Sequence, residues 1–286
     1  MEELVTNETE DIEIIVGEDA STDPNFLYEN QKIKTLPHCK YVYFTENNGR
    51  AKIRNKLSDI AQGKYLLFID SDALVMSTNF LSEYIKYVPY HDVIYGGIST
   101  PVRMPDKRNR TLRLAYEKAA ENIRSLSFRK KNPYKYISAF NILIKHELFD
   151  QIKFNENCTL YGYEDALLGI ELKIRKKEIY HIDNPLLHTG IDTNEEYLEK
   201  IKDSLTTLYT IGNTMQNESS ICKIQKIITK VKLNTPIDIL FTHIFKKRFE
   251  KNLLSTSPSL SILQLYKIGY YCHICQTNEK KRKNIR

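Results

Sequence analysis

Asp70 and Asp72, separated only by Ser71, directly follow the apolar run Tyr65–Ile69. A backbone leaving the pleat of a strand can turn both carboxylates toward one site. A hard divalent cation takes such oxygen ligands, and a bound diphosphate completes its shell. The same three residues also serve as a loop or turn cap. Glu18-Asp19 stands just beyond a second apolar run, Ile12–Val16, where a carboxylate can accept the N–H of a uracil-like base or a ribose hydroxyl. Glu164-Asp165 opens a helical pattern; acids there gain about 0.3 to 1 kcal/mol from the helix dipole and can also act as a general base. His188 follows the loop Asp183-Asn184-Pro185 and reads as a metal ligand or as a surface histidine. Each feature alone has a structural explanation, and it is their order along one chain that points to chemistry.

Those residues need elements to hold them. Ile12–Val16, Tyr41–Thr45 and Tyr65–Ile69 read as buried strands, with Gly17–Pro24 as a loop of turn formers. Arg50–Gln62 has helical spacing and is closed by Gly63. Further on, Phe80–Tyr87, Thr111–Leu126, His146–Ile152 and Ala166–Arg175 read as helices, and His91–Gly97, Ser138–Ile144 and Ile179–Ile182 as strands. This alternation predicts an α/β domain with a largely parallel sheet, in which ligands gather at the carboxyl ends of strands. Beyond Tyr197 the pattern is helical, broken at Pro236 and Pro258.

At 286 residues, 41% hydrophobic and 27% charged, the chain can bury a sizeable core, which excludes disordered and collagen-like classes. Apolar runs are far shorter than the roughly 18 to 20 residues of a spanning helix, and the acidic Met1–Asp11 has no apolar signal segment. Five irregularly spaced cysteines suit a reducing compartment. Cys222–Arg286 holds fourteen Lys/Arg against three Asp/Glu, so a basic tail follows a body of net charge −5 in a chain of net +6. Such a tail faces something anionic. Apolar and basic residues alternate in it, suiting either an anionic membrane surface or a helical appendage. No nucleic-acid recognition motif is present. Cys272-His273-Ile274-Cys275 has no second Cys/His pair at ligand spacing and reads as chance pairing on a helix. The basic stretch Arg103–Lys131 reads either as a solvated helix face or as a segment closing over an acceptor or diphosphate.

The chain resembles a family-2 glycosyltransferase of the GT-A fold over about residues 12–205. The resemblance rests on Glu18-Asp19-Ala20-Ser21, Asn48-Gly49, Arg54-Asn55, Gly63–Asp72, Phe154-Asn155-Glu156, Tyr161–Asp165, and His181–Pro185 with His188. The block Asn132–His188 looks like glycosyltransferases of Bacteroidetes-type surface-polysaccharide pathways. The resemblance implies a GT-A domain at 1–205, N-terminally shortened, and a helical basic C-terminal extension at 206–286. It implies that Asp19, Arg54 and Asp70 bind the nucleotide, Asp72 and His188 a divalent cation (Mn²⁺ or Mg²⁺), and that Asp165, positioned by Glu164, is the catalytic base. The expected reaction is inverting transfer from a nucleoside-diphosphate sugar, a UDP-sugar foremost, to a glycan or lipid-linked glycan hydroxyl. The expected location is the cytoplasm, with peripheral contact at the inner membrane face.

The family pattern ordinarily begins one strand and one helix before Ile12, with that strand inside the sheet. Its lack here implies unpaired backbone groups and weakened donor binding. An alternative is therefore a non-catalytic, transferase-like binding or scaffold protein. A phosphatase of the haloacid dehalogenase type is a third, since it too carries a strand followed by Asp-x-Asp, but Leu74 stands where that family has Thr or Val.

Overall fold

The β-branched residues Ile14, Ile15 and Val16 favour a pleated backbone. Ile14–Asp19 forms strand β1 of the structure, a computed structural model that describes residues 12–101 and 109–284. Met1–Asp11 and residues 103–108 of the basic stretch lie outside the described residues. Asp23 then caps helix α1 (Pro24–Gln31), its carboxylate accepting the Asn25 N–H at 2.8 Å with Pro24 in the first turn. The expected loop thus leads into a helix whose start signal, Asp-Pro, lies in the same residues.

Strand β2 (Cys39–Phe44) runs parallel to β1, from Ile14 opposite Cys39 to Asp19 opposite Phe44. Helix α2 (Gly49–Ile60) crosses back to β3 (Tyr65–Ile69), followed by β4 (Ala73–Leu74), α3 (Phe80–Ile85), β5 (Val93–Tyr95) and β6 (Ile98–Ser99). The chain continues through α4 (Thr111–Ala119), α5 (Glu121–Arg124), α6 (Leu126–Lys131), β7 (Asn141–Lys145), α7 (His146–Ile152), α8 (Glu164–Ile174), β8 (Tyr180–His181) and β9 (Leu186–His188). Helices α9 (Asn194–Thr210), α10 (Gly212–Met215), α11 (Ser220–Lys230) and α12 (Asn234–Leu240) follow. A π-helical turn at Phe241–Phe245 joins α12 to α13 (Lys246–Leu253), and α14 (Leu260–Asn284) ends the described chain.

Two compact units result. Among the described residues the first comprises 12–101, 121–159 and 164–190, and the second 109–120, 160–163 and 191–284. Helix α9, started by a capping box between Thr193 and Glu196, runs unbroken across position 205/206, and the last segment of the second unit starts at Ile191.

The central sheet of the first unit has the order β3-β7-β5-β8. Val93, Tyr95, Ile142 and Ile144 face one core cluster with Phe149 and Leu172, while Ile94 and Leu143 face another with Phe80 and Leu186. Both faces are therefore covered. The sheet is mixed, and its share of parallel pairing is smaller than expected, because β7 is antiparallel to β3 and to β5 while β5 and β8 are parallel. The cause lies in α6: Arg129 is buried and donates to the carbonyls of Tyr95, Gly96 and Ile182, which anchors the preceding chain at the carboxyl end of β5. The Asn141 amide, donating to Gly97 O and Asn184 O, fixes the start of β7 at that same end. Arg129 thus belongs neither to a solvated face nor to a substrate-closing segment.

Strands β1 and β2 form a separate two-stranded sheet. Among the described residues, the second edges of β1 and β3 pair with no strand. Glu13 ties their starts together, its carboxylate accepting the backbone N–H groups of Gln62 and Gly63. In the second unit Leu205, Leu208, Leu263, Tyr266 and Cys272 are buried.

Candidate active site

Helix α2 places Arg50 and Arg54 one turn apart on one face, where i,i+4 side chains meet. Arg54 is buried and divides its guanidinium between Asp70, with Nη2 to Oδ1 at 2.5 Å, and Glu164, with Nη1 to Oε1 at 3.3 Å; Asp165 Oδ1 lies 3.9 Å away. Arg50 bridges the same two carboxylates from the outer side, at 3.2 Å to Asp70 and 3.5 Å to Glu164. Burial opposes the charge on Arg54, but Asp70, Asp165 and Glu164 outweigh it and hold the group more firmly cationic than usual. Burial, and then the negative charge of Asp165, raises Glu164 above the ordinary carboxylate range. The following turn of α2 secures the cluster from below. Asn55 accepts the Phe154 N–H at 2.9 Å and donates to Phe154 O and to Glu156, and Arg54 lies over the Phe154 ring.

Asp165, in the first turn of α8, accepts the Ser138 hydroxyl at 2.7 Å and the Ala139 N–H at 3.0 Å. Both donors lie just before β7, which the antiparallel pairing brings to the carboxyl end of β3. This aims the carboxylate while leaving its side chain 22% accessible.

Asp72 departs from this cluster. Its Oδ2 meets His188 Nε2 at 3.1 Å, across the antiparallel pairing of Ala73 with His188. Thr189 donates its N–H and its hydroxyl to Asp72 O at 2.9 and 2.8 Å, locking the turn. Any side chain at Gly190 would collide with the Asp72 carboxylate. Burial disfavours ionisation of Asp72, yet the hydrogen bond and charge of His188, with Arg50 contributing, bring it below the usual range. A carboxylate oxygen and an imidazole nitrogen that converge in this way are two groups that could hold a divalent transition-metal ion such as Mn²⁺. Among the described residues no group of three or more His, Cys, Asp or Glu side chains gathers to hold a metal ion.

Asp19, at the end of β1, caps α2. Oδ1 accepts the Asn48 N–H and side-chain amide, each at 2.8 Å, and Oδ2 accepts the Gly49 N–H at 3.0 Å. Gly49 has φ +72°, which glycine adopts without strain. Beside this cap is a cleft of about 340 Å³ lined by Asn47, Asn48, Gly49, Lys52, Glu156 and Cys158. Glu18 is turned inward, accepting from Ser21, Asn30 and Tyr41.

The structure thus brings Arg54, Asp70, Glu164 and Asp165 into one cluster, pairs Asp72 with His188, and sets Asp19 on the N-terminus of α2. Arg50, Ser138 and Gly190 are not among the site residues expected from the sequence. Arg50 was legible as the i−4 partner of Arg54; the other two depend on β7 and on the turn after His188. In the second unit, Cys272 bonds to Gln225 and His273 to Asp238, so these side chains serve helix packing.

The sequence profile of glycosyl transferase family 2 matches residues 1–153, more than half the chain. The chain belongs to glycosyl transferase family 2. The phosphatase alternative falls with this assignment, and physically too, since Asp70 is held by two arginines.

Relatives agree with the family. The putative teichuronic acid biosynthesis glycosyltransferase TuaG of Bacillus subtilis is 44% identical over 62 residues, 21% of this chain and 24% of TuaG. The minor teichoic acid biosynthesis protein GgaB of the same species is 25% identical over 179 residues, 61% of this chain and 19% of GgaB. The chain spans only about a fifth to a quarter of the length of the curated relatives it matches. Among solved structures, the mannosyltransferase PcManGT of Pyrobaculum calidifontis, in complex with GDP-Man and Mn²⁺, aligns at a TM-score of 0.51 and 12% identity, covering 91% of this chain and 75% of that one. At this identity the likeness shows the fold, and the family-2 chain is a GT-A glycosyltransferase in architecture. Among the described residues, no helix is long and apolar enough to cross a membrane.

Proposed function

We propose that the chain is an inverting, cation-dependent transferase that moves a sugar from a nucleoside diphosphate to a hydroxyl of a cell-surface polysaccharide or its lipid-linked precursor. The observation carrying this is the meeting of Asp72 and His188, 116 residues apart in sequence, beside a carboxylate pair bound by arginines.

Asp19 and the cleft next to it would receive the nucleobase, taken as uracil, whose imide N–H suits a carboxylate acceptor. Asp70 and Arg54 would hold the ribose and adjacent phosphate. A divalent cation held by Asp72 and His188 would neutralise charge on the leaving diphosphate. Asp165 would take the acceptor's proton as its oxygen forms the bond to the anomeric carbon. The bond from that carbon to the diphosphate oxygen breaks in the same displacement, inverting the centre. The neighbouring Arg54–Glu164 pair would keep Asp165 aimed at the acceptor. GDP-Man and Mn²⁺ in PcManGT, and the teichuronic and teichoic acid roles in the names of TuaG and GgaB, support this reading. Work at the cytoplasmic face of a membrane, where lipid-linked acceptors reside, belongs to the same proposal.

The separation of β1 and β2 from the central sheet favours a second reading, a non-catalytic binding or scaffold protein that keeps the fold without full donor binding. Calorimetric titration of UDP, GDP and dTDP with and without Mn²⁺ decides between them. The transferase reading predicts Mn²⁺-enhanced binding of one nucleotide, at least tenfold weaker in Asp72→Ala. Absence of Mn²⁺-dependent nucleotide binding in the unaltered chain overturns it.

A further inference from the structure

The second unit carries a surface that the transfer reaction does not use. In α11, Lys223, Lys226, Ile227 and Lys230 are all exposed and fall at i, i+3, i+4 and i+7, one stripe of the helix. Cys222 and Ile228 supply the buried side. Ile227 is therefore on the solvent face among lysines, 63% exposed, where the core makes no use of it. The connecting turn adds exposed Val231 and Leu233. The next helical run, α12 through the π-turn into α13, presents Ile239, Leu240 and Ile244, then Lys247, Arg248 and Lys251.

Among the described residues, seven of the eighteen exposed large apolar side chains lie between Ile227 and Leu254, about a tenth of the chain. This concentration along one segment of the chain is the pattern of a contact surface rather than of scattered exposure. Charge then selects the partner. Residues 220–254 hold eight Lys/Arg against two acids. Both acids are engaged internally: Asp238 pairs with His273 at 2.7 Å, and Glu250 accepts the Tyr266 hydroxyl at 2.9 Å. The outward field is thus cationic and is interleaved with aliphatic side chains long enough to enter an acyl boundary. A polyanion such as RNA would match the lysines and leave the aliphatic residues in water. A second copy would bring like charges together.

We infer that the face formed by α11, the turn at 231–233 and α12–α13 docks on an anionic phospholipid bilayer, with Ile227, Leu240 and Ile244 entering the headgroup–acyl boundary and the lysines engaging lipid phosphates. This goes beyond the transferase reading and does not depend on it, since vesicle binding requires neither donor nor turnover.

The test is co-sedimentation of the full chain with vesicles of phosphatidylcholine alone and of phosphatidylcholine mixed with phosphatidylglycerol. Two exposed-residue variants are compared, K226E/K230E/K247E and I227S/L240S/I244S, each first checked for an unchanged melting temperature and unchanged Mn²⁺–nucleotide affinity. Expected is binding to the anionic vesicles only, weakened at high salt as screening shortens. Charge reversal should lower the partition coefficient at least tenfold, and the serine variant should lower it at moderate salt as well. Binding to neither vesicle, equal binding to both, or binding unchanged in both variants overturns the proposal. So does a dimer in light scattering that the serine variant dissolves, or single-stranded RNA binding that anionic vesicles fail to displace.

Discussion

Asp70 and Asp72 are the same residue type, two positions apart on one turn, and they meet opposite fates. Asp70 is saturated by two arginines that also hold Glu164, making a closed charge cluster. Asp72 faces a single imidazole, with glycine cleared from its other side. The first arrangement centres on one buried cation, Arg54, shared by three carboxylates, so it is the loss of that cation that leaves charge uncompensated. The second is the pair to which the proposed function assigns a divalent cation.

Breaking the closed half should cost the most. Arg54→Met leaves Asp70 and Glu164 without their buried cation and should lower stability by about 3–5 kcal/mol in urea unfolding. A loss under about 1 kcal/mol would mean that the cluster is as open as the Asp72 side and would erase the contrast.

The open half is probed without touching a ligand. Gly190→Ala pushes the Asp72 carboxylate aside, and Mn²⁺ affinity, read by titration, should fall about 10- to 100-fold as for other changes that misorient a metal ligand. Melting should move far less than in Arg54→Met. Unchanged Mn²⁺ affinity would show that Asp72 need not hold its present orientation.

A smaller effect sharpens the comparison through pH. The folded structure raises the pKa of Glu164, so its contribution to stability is full below its unfolded value and is lost as pH rises through the folded one. Asp72 is lowered and behaves oppositely, losing its contribution as pH falls. Glu164→Gln should therefore melt no lower than the unaltered chain at neutral pH, and its advantage should shrink as pH falls through the carboxylate range. A variant that melts lower at neutral pH and recovers in acid would reverse the assigned sign.

Much of this site could be read from local sequence. Asp72, Asp165 and His188 each border a short element whose end is marked by an apolar run, a helix start or a proline loop, so their placement needed only neighbouring residues. What escaped was set by distant partners. The antiparallel entry of β7 depends on Arg129 meeting the carbonyl of Tyr95 in β5 and that of Ile182 just after β8, and a run of lysines and arginines gives no sign that one of them turns inward. Asp19 was legible as a carboxylate at a strand end, but its capping of α2 required knowing that Asn48 and Gly49 stop beside it. The start of α1 was written in Asp23-Pro24 and was obscured by the turn formers around it.

The central claim is that Asp165 takes the acceptor proton while the nucleotide is held elsewhere. Asp165→Asn keeps an oxygen that can accept the Ala139 N–H, and its amide NH₂ can donate to the Ser138 hydroxyl, but it cannot accept a proton. Donor affinity and transfer rate, measured on this one variant with the donor that the nucleotide titration selects, test the claim directly. The account predicts donor affinity within about twofold of the unaltered chain and transfer reduced by about 10² to 10⁴. Transfer that falls only in proportion to lost donor affinity would place Asp165 at the nucleotide and contradict it.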